Sequence, residues 1–273
     1  MSKQSKSVVI GLTPNRIVMM SDGMTSHKYW CTIKTDVLFS SHHMEGVVGT
    51  NEFRIETNPV SLSKTLKLVN GATKSLSIRL SKFNTQPVLN IMIEDPANHT
   101  HRLREVSHNI PLQIISRRLY SEYDKQVYPV HVLFDMCNMC EFANVARKMK
   151  SLDRSVAITL ITTQQQGNQT GTGNQTGVRT MAISSQVTGC TIRSVFTNIR
   201  PSGQSGVPLC EDVPPDPNRI QIVVDSKLLH QFLSAFAKRN AILTMGIRVN
   251  RYMTFNLTGT DFTIDYLVPA LNL

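Results

Sequence analysis

One structural pattern occurs twice along the chain, and this repetition limits the folds that the sequence can adopt. Each copy has a strand-like run, a helix-capping residue, a helical segment and a second strand-like run, and the interval from the cap to the second run is the same in both. The first copy uses Glu52–Thr57, Asn58 and a run from Leu76, and the second uses Arg219–Val224, Asp225 and a run from Leu243. The repeat predicts two domains of one design, each with helices on one face.

Strand-like runs outnumber helical segments in both halves, so the predicted fold class is α+β. Helical spacing is restricted to Val60–Ala72, Met136–Leu152 and Ser226–Asn240, which follow the candidate caps Asn58, Asp135 and Asp225. We predict a first domain over residues 1–116, a connector over 117–128 and a second domain over 129–273. The runs typical of strands are Ser7–Leu12, Arg16–Met20, Lys28–Thr35, Glu52–Thr57, Leu76–Lys82, Val88–Glu94, Val130–Phe134, Ser155–Thr162, Val178–Ser184, Gly189–Asn198, Arg219–Val224, Leu243–Val249, Tyr252–Leu257 and Phe262–Val268.

Each helical segment places apolar residues on one side and basic or uncharged polar residues on the other. On a wheel of about 100° per residue, Leu66, Phe142 and Phe232 lie on the apolar sides, and the opposite sides carry almost no acidic residues. A solvated surface is the simpler interpretation of one such helix, but three of them favour a surface for the DNA backbone. The predicted DNA-facing residues are Lys64, Lys67, Lys74, Asn144, Arg147, Lys148, Lys227, His230 and Lys238.

The composition and the motif search favour a basic protein without catalytic chemistry. Lys and Arg outnumber Asp and Glu by 29 to 19, a formal net charge of +10, which predicts an acidic partner. The five cysteines are odd in number and follow no apolar export signal, so we expect reduced thiols. Cys137 and Cys140 form a C-x-x-C pair, but no second ligand pair follows at zinc spacing. Paired carboxylates, phosphate-binding loops and nucleophile motifs are not found. We therefore predict no enzyme activity, no cofactor and no metal, and a polar loop over residues 164–177.

Several segments together resemble the Hus-one family of checkpoint-clamp subunits. They are MEGV (44–47), SLSKTLKLVNGATKSLSIRLS (61–81), VSHNIPLQIISRRLY (106–120), NVARKMKSL (144–152) and DYLVPAL (265–271). The resemblance covers nearly the whole chain from Val8 onward. It implies two tandem DNA-clamp domains, with helices lining the inner face and antiparallel β-sheets outside, as in replicative clamps such as proliferating cell nuclear antigen. It also implies that the first strand and most of the first helix of domain one are missing, about twenty residues in all.

The resemblance implies a function and partners as well. The chain is expected to be a non-catalytic subunit of a heterotrimeric checkpoint clamp with Rad-nine-like and Rad-one-like subunits. A clamp loader is expected to place the ring on double-stranded DNA at damage sites in the nucleus, without sequence preference, and the ring recruits checkpoint signalling and repair factors. Neighbouring subunits are expected to pair along the strand edges Val106–Ile115 and Cys190–Phe196. The implied interface residues are Val106, Ile110, Leu112, Ile114, Cys190, Ile192, Ser194 and Phe196.

Two other functions stay open from the residues alone. The basic helices are also compatible with a scaffold protein that binds acidic proteins and never forms a ring. A β-rich nuclease with unrecognised acidic residues is the third possibility. Stoichiometric assembly with other clamp subunits would distinguish a clamp subunit from a scaffold protein. A metal-dependent cleavage assay on duplex DNA tests for a nuclease.

Overall fold

The chain divides into two compact units in the computed structural model, which describes residues 7–21, 27–44, 51–71, 73–96, 103–136, 138–163, 178–203, 207–216 and 218–271. Unit 1 comprises residues 1–25 and 30–125, and unit 2 comprises residues 26–29 and 126–273. The domain bounds inferred from the sequence stay a prediction. The loop 164–177 and Cys137 lie outside the described residues. Within the described part of the chain, no helix has the length and apolar character needed to cross a membrane.

Unit 1 is built on antiparallel strands in the order β3-β2-β1-β4-β7-β6-β5. The apolar residues of the predicted runs supply its core: Val9, Ile55 and Ile91 are fully or almost fully buried. The strands are β1 (Val8–Leu12), β2 (Arg16–Ser21), β3 (Lys28–Lys34, in unit 1 from Trp30 onward), β4 (Phe53–Thr57), β5 (Ser75–Phe83), β6 (Gln86–Pro96) and β7 (Leu103–Ile114).

The helices of unit 1 are short. A single turn, α1 (Thr35–Leu38), follows β3, and α2 (Pro59–Leu66) follows β4 and packs against β7. The predicted cap is confirmed, because the Asn58 side chain accepts hydrogen bonds from Val60 N at 2.8 Å and Ser61 N at 3.2 Å. Pro59 occupies the first helical position, where its missing N–H leaves no donor unsatisfied. The helix ends at Leu66, earlier than the predicted Ala72.

Arg54 ties the end of unit 1 to its sheet. Residues Arg117–Tyr123 form a 3-10 helix after β7. The Arg54 guanidinium forms ion pairs with the carboxylates of Asp124 at 2.7 Å and Glu52 at 2.8 Å. The backbone N–H of Arg54 donates to the Tyr120 hydroxyl at 3.1 Å. The guanidinium also lies 4.6 Å from the Tyr120 ring centroid. These contacts fix the first part of the predicted connector against β4.

Unit 2 is also antiparallel, with the strand order β12-β9-β10-β11-β8-β13-β14-β15. Its core contains fully buried Phe134, Ile158 and Met253. The strands are β8 (Val132–Met136), β9 (Ser155–Thr163), β10 (Val178–Val187), β11 (Cys190–Pro201), β12 (Arg219–Asp225), β13 (Ile242–Arg248), β14 (Tyr252–Thr258) and β15 (Phe262–Pro269).

Two longer helices belong to unit 2, α3 (Met139–Leu152) and α4 (Ser226–Phe236). The Asp225 cap is confirmed, because its carboxylate accepts from Lys227 N at 2.8 Å and Leu228 N at 3.1 Å. The predicted cap Asp135 is wrong. Strand β8 continues to Met136, and Asn138 caps α3 by accepting from Glu141 N at 3.1 Å.

The two units repeat one order of elements, as the sequence pattern predicts. Strands β1–β3 correspond to β9–β11, and the series β4, α2, β5, β6, β7 corresponds to β12, α4, β13, β14, β15. The β4–β7 pairing at Thr57 and Leu112 is matched by a bridge between Val224 and Ala270. Within the described residues of unit 1, β8 and α3 have no counterpart. The absent first strand and helix stay a prediction from the resemblance.

Candidate functional site

The two helices of unit 2 pack side by side, and aromatic contacts fix which sides they bury. Phe142 of α3 meets Phe196 of β11 edge to face, with ring centroids 5.8 Å apart. Phe232 of α4 stacks on Tyr266 of β15 at 4.8 Å. Because these apolar sides face the sheet, the polar sides of both helices face outward.

The outward sides of α3 and α4 carry the unit 2 residues predicted to face DNA, except Lys238, which follows the end of α4 at Phe236. Helix α3 contains one acidic residue, Glu141 in its first turn, and α4 contains none. The surface of the helix pair is therefore dominated by cations. Asn144, Arg147, Lys148, Lys227 and Lys238 are exposed, and His230 is half-buried. These positions agree with the predicted surface, and contact with DNA stays a prediction.

Packing of α4 against α3 brings His230 close to two cations of α3. The pKa of His230 is lowered first by burial of the imidazole and then by the charges of Lys150 and Arg147. Lys150 is exposed and was not among the predicted DNA-facing residues. Its position three residues after Arg147, on the same side of a helix, is the sequence signal that identifies it.

The basic residues of unit 1 are also exposed, but α2, which carries Lys64, is less buried than the wheel predicts. Lys64, Lys67 and Lys74 are exposed, and the Lys74 backbone N–H donates to Glu94 O at 2.8 Å. Leu66, predicted on the buried side, is 40% exposed. Its assignment to a buried face is wrong because, among the described residues, no second helix packs on α2.

Among the residues that the structure describes, one side of β7 has no strand partner over most of its length. Strand β6 pairs with β7 from Leu103 to Pro111, whereas β4 reaches only the last residues of β7. Ile110 is buried, Val106 is half-buried, and their backbone groups on the side away from β6 have no strand partner among the described residues. Leu112 and Ile114 pair with β4, so the backbone of the predicted edge is free only before Leu112. The side chain of Ile114 is nevertheless 61% exposed.

In the part of the chain that the structure describes, one side of β11 is also free over most of its length. Strand β10 pairs with β11 along its length, and β8 pairs only with Arg200 and Pro201. The predicted interface residues Cys190 and Ile192 are exposed, Ser194 is half-buried and Phe196 is buried against α3. Val195, 54% exposed on the opposite face of the strand, was not predicted. Strand alternation from Phe196 is the signal that places it outside.

Three possible metal ligands of unit 2 lie within 4.8 Å of one another: a ring nitrogen of His131, the sulfur of Cys210 and a carboxylate oxygen of Asp212. The arrangement does not fit a metal. His131 Nδ1 accepts from Val249 N at 3.2 Å, so Nε2 carries the proton of the neutral imidazole and points at Asp212 Oδ2, 3.2 Å away. Arg248 also lies 3.7 Å from Asp212. The group is better described as hydrogen bonds and ion pairs that hold the segment after Pro208 against β8 and β13.

The fold of the chain is of the PCNA-like sliding-clamp class. The structure of PCNA from Thermococcus kodakaraensis matches with a TM-score of 0.66 and 13% sequence identity, over 98% of this chain and 92% of that one. The structure of Proliferating Cellular Nuclear Antigen from Entamoeba histolytica matches with a TM-score of 0.65 and 10% identity, over 99% of this chain and 91% of that one.

The sequence identifies the particular family within that class. The sequence profile of the Hus1-like protein family matches residues 1–272, and the chain therefore belongs to this family. Checkpoint protein HUS1 of Homo sapiens is 22% identical over 280 residues, which cover 99% of this chain and 92% of the human protein. The family resemblance and the fold class inferred from the sequence are both confirmed.

Proposed function

We propose that the chain is a non-catalytic subunit of a ring-shaped checkpoint clamp that encircles double-stranded DNA. Membership of the Hus1-like family supports the checkpoint role, and the sliding-clamp fold supports the ring. The observation that carries the proposal is that both predicted interface strands, β7 in unit 1 and β11 in unit 2, have one side without a strand partner over most of their length among the described residues. A subunit of a closed ring needs two different edges, one for each neighbour.

The finer composition of the ring is part of the same proposal. The neighbours are Rad-nine-like and Rad-one-like subunits, so that the ring is a heterotrimer. A clamp loader opens and closes the ring on DNA in the nucleus, and the closed ring recruits checkpoint signalling and repair factors at damage sites. The human relative is named a checkpoint protein, which supports the checkpoint part of this proposal.

Backbone pairing explains why these edges suit an interface. An unpaired strand edge presents a row of N–H and C=O groups that pair readily with another strand. On β11 the apolar side chains of Ile192 and Val195 are 39% and 54% exposed, which leaves apolar area for a neighbour to cover. On β7, Ile110 is already buried in unit 1, so at this position the neighbour gains backbone hydrogen bonds rather than apolar contact.

Assembly is tested with one charged substitution on the β11 edge and one control. Ile192→Asp places a carboxylate on the proposed interface. Ile242→Asp makes the same chemical change at the start of β13, where the side chain is 61% exposed and no interface is proposed. Co-purification with the two partner subunits, read by size-exclusion chromatography, should show a stoichiometric trimer for the wild type and for Ile242→Asp. Ile192→Asp should fail to assemble while keeping its fold, and a normal trimer in this variant would exclude the β11 edge.

DNA contact is tested by comparing two sets of four charge removals within the assembled ring. Each lost phosphate contact should reduce the slope of log affinity against log salt by about 1. The helix set replaces Arg147, Lys148 and Lys227 of α3 and α4, together with Lys238 just after α4, with Gln. The control set replaces Arg16, Arg79, Lys82 and Arg251 with Gln, which are also exposed but lie outside the helices and outside β7 and β11. The helix set should weaken retention on duplex DNA and flatten the salt dependence, whereas an equal loss in both sets would show that only net charge matters.

A further inference from the structure

Strand β5 ends the strand order of unit 1, and one of its sides has no strand partner among the described residues. Strand β13 is its equivalent in unit 2, because Leu76 and Leu243 follow the caps of the preceding helices at the same interval. In unit 2 this side of the strand is paired, since β8 runs antiparallel to β13 from Leu243 to Ile247. The repeat therefore shows which kind of element fits beside β5.

Apolar side chains around β5 are exposed where their counterparts in unit 2 are buried. Leu80 of β5 is 45% exposed, whereas Ile247 at the equivalent position of β13 is fully buried and pairs with Val132 of β8. Leu66 of α2 is 40% exposed, whereas Leu233 of α4, which packs against α3, is fully buried. In unit 2 a strand and the helix that follows it thus cover the surface that the described residues of unit 1 leave open.

A buried hydroxyl on β5 indicates one chemical group of the element that fits there. Ser77 Oγ is buried and has no hydrogen-bond partner among the described residues. At the equivalent position of β13, the Thr244 hydroxyl donates to Asp135 Oδ1 of β8 at 2.7 Å. Because buried hydroxyl groups of native proteins are usually satisfied, Ser77 points to a carboxylate acceptor on a strand beside β5.

The charges of β5 favour the same partner and disfavour a second copy of the strand. Arg79 and Lys82 are exposed, and Arg79 lies two residues after Ser77, on the same face of the strand. Antiparallel pairing of two copies of β5 would bring these cations together, and like charges across a strand pair are destabilising. An aspartate beside Ser77 would instead lie on the face that carries Arg79.

We propose that unit 1 binds, in trans, a strand–helix segment of another polypeptide that has the chemistry of β8 and α3. Its strand pairs antiparallel with β5 and places an aspartate beside Ser77, and its helix covers Leu66 on α2. The main-chain hydrogen bonds of the added strand supply affinity, and the aspartate and the apolar side chains supply specificity. This site involves neither the proposed ring edges nor the proposed DNA contact.

The probe is a synthetic peptide of residues 130–153 of this chain, which contains β8 and α3, with Cys137→Ser and Cys140→Ser to prevent oxidation. Fluorescence anisotropy measures its binding to the full chain. Leu80→Asp puts a charge on the apolar side of β5 and should weaken binding by about tenfold or more. Val213→Asp introduces the same charge at a 79% exposed side chain of unit 2 and should leave binding unchanged. Equal affinity for the two variants would overturn the site.

A double-mutant cycle tests the contact with Ser77. Asp135→Leu in the peptide should weaken binding to the wild-type chain by about tenfold, because a buried hydroxyl then loses a charged acceptor. Ser77→Ala removes a buried oxygen that has no partner in the free chain, so this variant should keep its fold. The two peptides should bind Ser77→Ala nearly equally. The same tenfold difference with Ser77→Ala would show that the aspartate does not act on Ser77.

Hydrogen exchange locates the bound peptide. Binding should slow amide exchange in β5 and α2 and leave β13 and α4 unchanged. Faster exchange in α3 would mean that the peptide displaces the segment it copies in unit 2, which would overturn the proposal. A dimer of the chain alone that Leu80→Asp abolishes, seen by sedimentation, would assign the surface to a second copy and overturn it as well. Failure of this site leaves the proposed clamp function intact, because none of these assays depends on ring closure.

Discussion

Burial of α4 against α3 can be tested with two leucines at equivalent positions in the two units. Leu66 is the eighth residue after the cap of α2, and Leu233 is the eighth residue after the cap of α4. Leu233 is fully buried, whereas Leu66 is 40% exposed. The same substitution to Ala therefore removes the same atoms from two different environments.

The expected loss of stability differs several-fold between the two sites. Leu233→Ala leaves a closed cavity between α4 and its neighbours, and such substitutions typically lower the free energy of unfolding by about 2–5 kcal/mol. Leu66→Ala opens onto solvent and leaves no closed cavity. Only part of the transfer free energy of a leucine side chain is lost there, so we expect about 1 kcal/mol or less.

The chain offers a separate probe for each unit. Trp30, the one tryptophan of the sequence, is buried in unit 1, so its fluorescence in a urea titration follows the unfolding of that unit. Hydrogen exchange of peptides from α3 and α4 reports on unit 2. Leu233→Ala should accelerate exchange across both helices, and Leu66→Ala should barely shift the fluorescence midpoint. Equal losses at the two positions would refute the claim that α3 determines the burial of α4.

Three further predictions concern caps, acid stability and metals. Asp225→Ala should destabilise unit 2 by about 0.5–2 kcal/mol, because two backbone N–H groups lose their acceptor. Asn58→Ala should destabilise unit 1 by a similar amount for the same reason. Urea titration, followed by Trp30 fluorescence for unit 1 and by hydrogen exchange for unit 2, measures both effects. The hydrogen bond from His131 lowers the pKa of the Asp212 carboxyl group in the folded protein. The ionised carboxylate therefore stabilises the fold at pH values above the unfolded-state pKa of about 3.9. This stabilisation is lost as the pH falls through the lower pKa of the folded protein. Thermal melts of Asp212→Asn and the wild type should therefore differ near neutral pH and converge below about pH 4, whereas a constant difference would contradict the assigned hydrogen bond. Treatment with a divalent-metal chelator should leave the melting temperature unchanged, because the protonated Nε2 of His131 is not available as a ligand, and a fall in melting temperature would show a structural metal at His131.

The sequence predicts the helix caps that depend only on residues close together in the chain. Asn58 and Asp225 were predicted as caps because a short polar side chain directly before a helical pattern satisfies free N–H groups. Asp135 has the same chemistry, but its side chain accepts from the Thr244 hydroxyl at 2.7 Å, and the strand continues past it. The contact joins residues far apart in the chain, and the local pattern does not contain it.

Burial and strand pairing depend on neighbours that the sequence does not place. The helical wheel of α2 places Leu66 on its apolar side and Lys64 on its polar side. An apolar side becomes buried only when a neighbouring element packs on it, and none of the described residues supplies a second helix there. Pairing of β7 with β4 at Leu112 and Ile114 is likewise a tertiary contact. The cluster of Arg147, Lys150 and His230 arises because two helices distant in sequence pack together.

The central claim is that the chain closes, with its partners, into a ring around DNA, and DNA topology tests it most directly. The assembled clamp is loaded onto a closed circular plasmid by its clamp loader, washed at high salt to remove electrostatic binding, and the plasmid is then cut once. The clamp should stay on the closed circle and slide off after linearisation. Equal retention on circular and linear DNA would contradict it, because a protein that only binds the backbone does not detect free ends.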